Sequence, residues 1–423
     1  MKKGRFILSV LAVIAVMAIT ASPVLAEEDT ASRQGVNFGG PNTVGNQLLE
    51  DAEIKGAVIE KRALQSWFDW KQKLQEEKGI SLGIDYSAVY MKSGTDGLTG
   101  LDTGSGGMLR FFGSWDLVGK GTKDTGALVW KIEHRHKYTD IPPKGLGFEL
   151  GYVGLFEPPF SDQGGRVTNL YWRQRLNEGK STLIGGFLDV TDYVDAFVLG
   201  SPWTGFMNFA FSTGSASAFT PNDSTLGAAG ATMISDNLYL IGGLTNAYAD
   251  PTSPFEGFDT FVSDNEYYAS LELGWTLSKD SIYTDNAHVT VWHVDESLNA
   301  GTPGGWGTAF SYVRYLNKNL MPFIRGGYAD EGGSLLQKSL SAGFGYQAVG
   351  SRDLLGVGVN WGEPNESSFG PGLRDQFTTE VFYRFQLAEQ LALTPDLQLL
   401  VNPALNPNED RVWVAGLRAR LAM

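Results

Sequence analysis

The sequence predicts an all-β fold: a sixteen-stranded antiparallel transmembrane β-barrel with a short N-terminal helical segment. Three observations predict it. An export leader stands at the N-terminus. Beyond it, segments that alternate with period two recur around short polar turns. Their number is even, as a single-chain bacterial barrel requires.

The leader is read first, because it does not belong to the fold. Lys2, Lys3 and Arg5 form a basic start, and Phe6 to Ile19 is an almost unbroken apolar run. Val24-Leu25-Ala26 offers small residues at the −3 and −1 positions, followed by Glu27 and Glu28. Residues 1–26 therefore read as a signal peptide, with the mature chain starting at Glu27. No other apolar run approaches the ~20 residues of a spanning helix. A chain that still sits in a membrane must cross it as a closed barrel, which satisfies its own backbone in lipid.

Composition agrees. There is no cysteine, which excludes disulfides, thiol chemistry and Cys-based zinc sites. The 53 glycines and abundant aromatics suit a barrel with an aromatic girdle and a polar interior. A net charge of −14 argues against a nucleic-acid partner, which favours a basic footprint.

The first strand sets the pattern. Ile80, Leu82, Ile84, Tyr86, Ala88 and Tyr90 share one face, and Ser81, Gly83, Asp85 and Ser87 share the other. Its length matches the roughly 9–11 residues that cross a bilayer at barrel tilt. Seven hairpins follow, with strands at 109–118 and 126–137, 168–177 and 181–190, 226–234 and 238–248, 266–277 and 286–295, 306–316 and 320–329, 338–348 and 354–361, and 376–387 and 391–400. A last strand covers 411–423. Phe148–Phe156 also looks strand-like. It lies between Pro142-Pro143 and Pro158-Pro159, and proline is poorly tolerated in a central ladder, so it is placed in a loop. All short turns then fall at one end and all long connections at the other. The connections 138–167 and 191–225 are long enough to fold inward. Residues 27–45 read as a flexible linker, and 46–78 as an N-terminal helical segment on the periplasmic side, packed at the barrel mouth, with a plug as the alternative and Leu64, Trp67, Phe68 and Leu74 as its apolar stripe. The barrel occupies 79–423.

Strand parity selects inward side chains. On 109–118, Leu109, Phe111, Trp115 and Leu117 face lipid, which turns Arg110 inward. On 126–137 the inward residues are Lys131, Glu133, Arg135 and Lys137; on 168–177, Arg173 and Arg175. On 181–190, Ile184, Leu188 and Val190 are expected to face out and Asp189 in. These strands are consecutive, so the charges form one mixed-sign wall. Arg110, Glu133 and Arg173 are expected to project into a wet lumen and to affect permeation more than stability. With Arg418 and Arg420 on the inner face of the last strand, the lumen is expected to be more basic than the whole chain. His134 and His136 fall on the lipid-side face without a matching carboxylate, and His288 and His293 on opposite faces. No metal, no cofactor and no catalytic activity is expected; the sequence offers no inward Ser–His pair. Asp189, Asp192 and Asp195 are the one loose acidic cluster.

Several stretches carry a family resemblance: EHRHKYTDIPP (133–143), NLYWRQRL (169–176), GGFLDVTDYVDAF (185–197), PFIRGGYADEG (322–332), EVFYRFQLAEQLALTPDLQLLVNPALNP (380–407) and RVWVAGLRARLAM (411–423). They resemble the carbohydrate-selective porins of the OprB family, from about residue 46 to the end. The closing strand departs from the usual assembly signal, which ends in an aromatic residue, by ending in Met423. The resemblance implies an outer-membrane barrel that passes monosaccharides such as glucose by passive diffusion. The alternative is a general, non-selective porin. The implied partners are permeating sugars, outer-membrane lipid and the barrel-assembly machinery, with the protein a monomer or a trimer. A sugar pore needs polar groups for hydroxyls and aromatic surface for the ring faces, with binding weak enough for release. The expected constriction residues are Arg110, Lys131, Glu133, Arg135, Arg173, Arg175 and Asp189, with Trp203 as a stacking surface. Phe206, Phe209, Phe211 and Phe219 are expected to pack their loop against the wall.

Overall fold

In the computed structural model the described residues are 37–52, 56–59, 64–298, 301–317, 319–347 and 352–423. The expected signal peptide and Glu27 lie outside them. Sixteen strands follow in chain order: β1 (Ile80–Ser93), β2 (Thr103–Val118), β3 (Gly126–Lys137), β4 (Gly164–Leu176), β5 (Ser181–Leu188), β6 (Thr225–Met233), β7 (Leu238–Asn246), β8 (Tyr267–Thr276), β9 (Asn286–Val294), β10 (Gly305–Val313), β11 (Leu320–Glu331), β12 (Leu336–Gln347), β13 (Leu354–Pro364), β14 (Gln376–Ala388), β15 (Leu391–Val401) and β16 (Arg411–Ala422).

Each strand pairs with its sequence neighbours, and β1 pairs with β16, so the sheet closes. The seam is tied at its end by Ile84 N–H to Met423 O at 3.1 Å and Met423 N–H to Ile84 O at 2.7 Å. Closure leaves no unpaired strand edge, which is what allows a sheet to stand in lipid. The alternation read from the sequence sets the faces. Asp85, Ser87, Val89 and Met91 are buried inside while Tyr90 is exposed outside. On β16, Val412, Val414, Arg418 and Arg420 point in, and Trp413, Leu417 and Leu421 point out. β2 begins six residues earlier than expected. Its added stretch, TGSGGM, is small and shows no alternation, yet it pairs with β1 through Lys92↔Thr103.

The short turns gather at one end and the long connections at the other. In the β4–β5 turn, Lys180 N–H donates to Asn177 O at 3.1 Å, and the central Glu178 and Gly179 both take positive φ, the geometry whose twist suits a two-residue hairpin. Phe148–Phe156 is not a strand. It overlaps a short helix, Pro143–Glu149, whose first residue is a proline without an N–H to lose.

Two expectations are corrected here. β5 is turned the other way: Arg173↔Ile184 and Trp172↔Gly185 are partners, so Ile184 and Leu188 face inward. Leu183 is 53% exposed on the outer face. Phe187 points out as well and meets Phe255 and Phe258 edge-on, which pins the register. Leu188 and Val190 join a buried cluster with Val44 and Tyr193. The sequence reading assumed that apolar residues belong outside, whereas this lumen has an apolar interior of its own. The N-terminal segment also differs. It forms two helices, α1 (Val44–Ala52) and α2 (Gln65–Lys78), not one over 46–78. Leu64 is not in a helix: it caps α2 in the left-handed region. Part of the expected linker, 37–45, is ordered inside the barrel, together with α1.

The interior is filled from three sources. The 138–163 connection, the 189–224 connection and residues 37–52 all enter it. Phe206 packs among Phe211, Phe323 and Phe382 with ring centroids 4.5–5.7 Å apart. Phe211 is fully buried beside it, so these phenylalanines fasten the loop to the wall.

Candidate functional site

The wall of β1 to β4 gathers the charges that parity selected. Arg110 is wholly buried and forks onto Asp85, with Nε at 2.7 Å and a second bond from the guanidinium. Asp85 also accepts from Arg420 Nε at 2.9 Å. Arg110 Nη1 reaches Gln47 at 3.3 Å. Lys131 Nζ lies 3.4 Å from Asp192 and 3.4 Å from the carbonyl of Asn42. Glu133 accepts from Arg135 Nε at 2.8 Å. Asp223 is shared by Arg135 at 2.9 Å and Arg166 at 2.6 Å. Arg173 faces Asp116 at 3.5 Å, and Arg175 is bonded to Asn37. Asp189 caps the turn after β5 by accepting from Thr191 N–H at 3.0 Å.

These side chains are not bathed in an open lumen. Arg110, Lys131, Glu133, Arg135 and Arg173 are all buried. The expectation that Arg110, Glu133 and Arg173 stand in water is therefore corrected. A buried charge needs a partner, and the inward segments supply partners that strand parity cannot see. Trp203 is also displaced from its expected setting. It is only 5% exposed, and the Arg110 guanidinium carbon lies 3.6 Å from its ring centroid. That ring face is used for cation–π contact and is closed to a sugar.

The 189–224 connection crosses the barrel and is tied on every side. At its start Asp192 meets Lys131, and Asn169 donates to it at 3.2 Å. Next, Asp195 reaches the opposite wall. It bonds His288 Nε2 at 2.8 Å and the Arg325 guanidinium, while its own N–H donates to Glu272 at 3.0 Å. The loop tip then meets β14 to β16. The N–H groups of Met207 and Asn208 donate to Glu380 at 2.6 and 3.0 Å, and Asn208 Nδ2 donates to Gln398 at 3.0 Å. Arg418 donates to Gly205 O at 2.9 Å and to Glu157 of the other connection at 2.7 Å. Of the acidic run, Asp192 pairs with Lys131 and Asp195 with His288 and Arg325, while Asp189 accepts from Thr191. His288 lies inside, bonded to Asp195 and near the Tyr239 hydroxyl, and His293 lies outside beside Asp295.

Between these segments lies a cavity of about 90 Å³. Its polar lining includes Asn42, Asp195, Asn208, Ser212 and Arg325, and its aromatic lining Phe197, Phe206 and Phe209. Gly40 to Asn42 form part of its boundary. Sequence reasoning placed Asp85 inward by parity but did not give it a role. It named Asp195 only within a loose acidic cluster and missed Asn208 and Glu157, because loop residues have no parity and nothing local in the sequence says which wall they meet. It also missed Arg325, which lies on β11 and faces inward by the same alternation that was used on the first wall.

The carbohydrate-selective porin, OprB family, model matches residues 316–423. That stretch covers β11 to β16, whose inner face holds the loop tip. No curated protein matches the chain. Among solved structures, a high-pH structure of Pseudomonas putida OprB superposes with a TM-score of 0.66 at 13% identity, covering 87% of this chain and 99% of that one. The low-pH structure of the same protein gives 0.51 at 11% identity, covering 85% and 97%. A mutant porin of Rh. blastica gives 0.51 at 13% identity, covering 81% and 100%. These likenesses show the fold.

Proposed function

We propose that the protein is an outer-membrane porin through which carbohydrates, monosaccharides such as glucose among them, diffuse passively into the periplasm. The observation that carries this reading is the loop-bounded cavity, where amide, hydroxyl and charged groups stand beside aromatic faces. Polar groups can replace the water around sugar hydroxyls, and the rings offer a surface to C–H faces. The loop that forms the cavity is fastened to three parts of the wall, so the opening has a defined shape. The family match over β11 to β16 supports the same substrate class. The expected constriction set Arg110, Lys131, Glu133, Arg135, Arg173, Arg175, Asp189 and Trp203 then acts one layer behind the passage. It fixes the segments that line the opening, and Asp195, Asn208 and Arg325 border the loop-bounded cavity. The expected partners are permeating sugars, outer-membrane lipid and the barrel-assembly machinery.

Liposome swelling tests selectivity. Neutral monosaccharides should enter faster than polyols of matched size. Equal rates at equal size would point to a general diffusion pore.

Ion preference is a second readout. Arg175 is bonded to a neutral amide, and Arg352 and Arg384 share the Glu50 carboxylate at 3.6 and 3.3 Å. Local charge in a narrow passage decides which ion enters, whatever the net charge. A KCl gradient should give a reversal potential showing weak anion preference. It should fade as salt rises toward 1 M, where the Debye length is about 3 Å. Clear cation preference at low salt would show that the acidic external loops govern entry.

A further inference from the structure

Residues 37–52 form a turn-and-helix hairpin inside the lumen. The turn is stapled internally: Asn37 N–H donates to Asn46 Oδ1 at 2.8 Å, and Asn46 Nδ2 donates to Gly40 O at 2.9 Å. Asn37 lies beside Arg175, near the short-turn end of β4. The tip reaches the 189–224 connection, where Gly40 N–H donates to Asp192 O at 2.7 Å. α1 then runs back toward the short-turn end. There Asp51 takes a two-pronged bond from Arg420, 2.8 Å on each side, and Glu50 meets Arg384 and Arg352. The chain leaves alongside the end of β14, with Val58 and Ile59 N–H donating to Gln386 and Leu387 carbonyls.

The hairpin tip, Gly40 to Asn42, forms part of the cavity's boundary, while Glu50 and Asp51 at its other end meet the arginines at the short-turn end. Its attachment differs from that of the 189–224 connection. That loop is held by a cluster of buried aromatic rings. The hairpin contributes Phe38 and Val44, with Leu48 against them, to the apolar cluster of Leu188, Val190 and Tyr193, and holds on otherwise by ion pairs and amides. Two of its buried polar atoms, Asn42 Oδ1 and Gln47 Nε2, have no hydrogen-bond partner within the protein. Withdrawal gives those atoms water.

We propose that residues 37–52 are a resident plug, latched by Glu50 and Asp51 on Arg352, Arg384 and Arg420, which withdraws toward the short-turn end to let a sugar-sized solute through. This rests on the porin reading above. The absence of native cysteine allows a clean lock. A Cβ placed on Gly40 would lie 2.8 Å from Ala196 Cβ, so a modest opening reaches the 3.5–4.5 Å of a disulfide. The full-length Gly40→Cys/Ala196→Cys protein is inserted in planar bilayers, with the disulfide confirmed by mass spectrometry. Oxidised channels should conduct severalfold less than the same channels after reduction, and sugar influx should fall in parallel. The Glu50→Gln/Asp51→Asn protein, which loosens the latch and keeps side-chain size, should spend more time open than the wild type. Equal conductance and influx before and after reduction, with conducting channels in both, would overturn the plug and leave the porin reading standing. Silence from the wild-type, reduced and latch-free proteins alike would overturn the porin reading and the plug with it.

Discussion

Replacing Asp85 with alanine is expected to destabilise the barrel by about 3–5 kcal/mol, the usual penalty for removing one partner of a buried ion pair. Asp85 and Arg110 are both fully buried, and the carboxylate also holds Arg420. Without it Arg420 keeps Asp51, while Arg110 keeps no carboxylate, just the neutral Gln47 and the Trp203 and Phe112 rings. Arg110→Ala should cost less, because Asp85 would still have Arg420. Arg110→Lys should fall between wild type and alanine, since an ammonium keeps the charge but loses the planar fork. The measurement is the temperature at which the folded, fast-migrating band converts to the unfolded one on gels. An Asp85→Ala barrel that converts at the wild-type temperature would show that water reaches this pair.

Asp195→Ala is expected to raise single-channel conductance severalfold. Asp195 bonds His288, the Arg325 guanidinium and the N–H of Gly214, so one carboxylate ties two parts of the loop to β9 and β11. Its loss leaves the buried Arg325 without its carboxylate and frees the middle of the constriction. The phenylalanine cluster around Phe206 and the Asn208 contacts with Glu380 and Gln398 should keep the loop tip in place. The barrel should thus stay assembled while its opening widens and its discrimination between sugars and polyols declines. Planar-bilayer conductance and liposome swelling report the two effects together. Unchanged conductance in a correctly folded variant would remove Asp195 from the constriction.

The sixteen strands were legible in the sequence because a barrel wall is governed by a local rule. Each side chain faces either lipid or interior, and period two repeats until the chain turns. Asp85, Arg110, Lys131 and Arg420 were placed on the inner face by that rule alone. It failed on β5, where Ile184 and Leu188 are apolar and still point inward. The rule equates apolar with lipid, and that equation breaks when another part of the chain supplies an apolar surface inside. Val44 and Tyr193 do so here.

The lumen's contents were decided by tertiary structure. The sequence showed that 191–225 was long enough to enter, but not that Asp192, Asp195 and Asn208 would meet three different walls. Such contacts join residues more than two hundred positions apart, as Gly205 and Arg418 do. No periodicity encodes them. The same holds for residues 37–52: the sequence read 37–45 as linker and suggested a helix only from 46 on, and the arginines that receive Glu50 and Asp51 lie on β14, β16 and the turn before β13. Strand parity therefore determined which charges point inward. Only the folded chain decided that those charges would be buried in ion pairs, because it alone brings the partners within bonding distance.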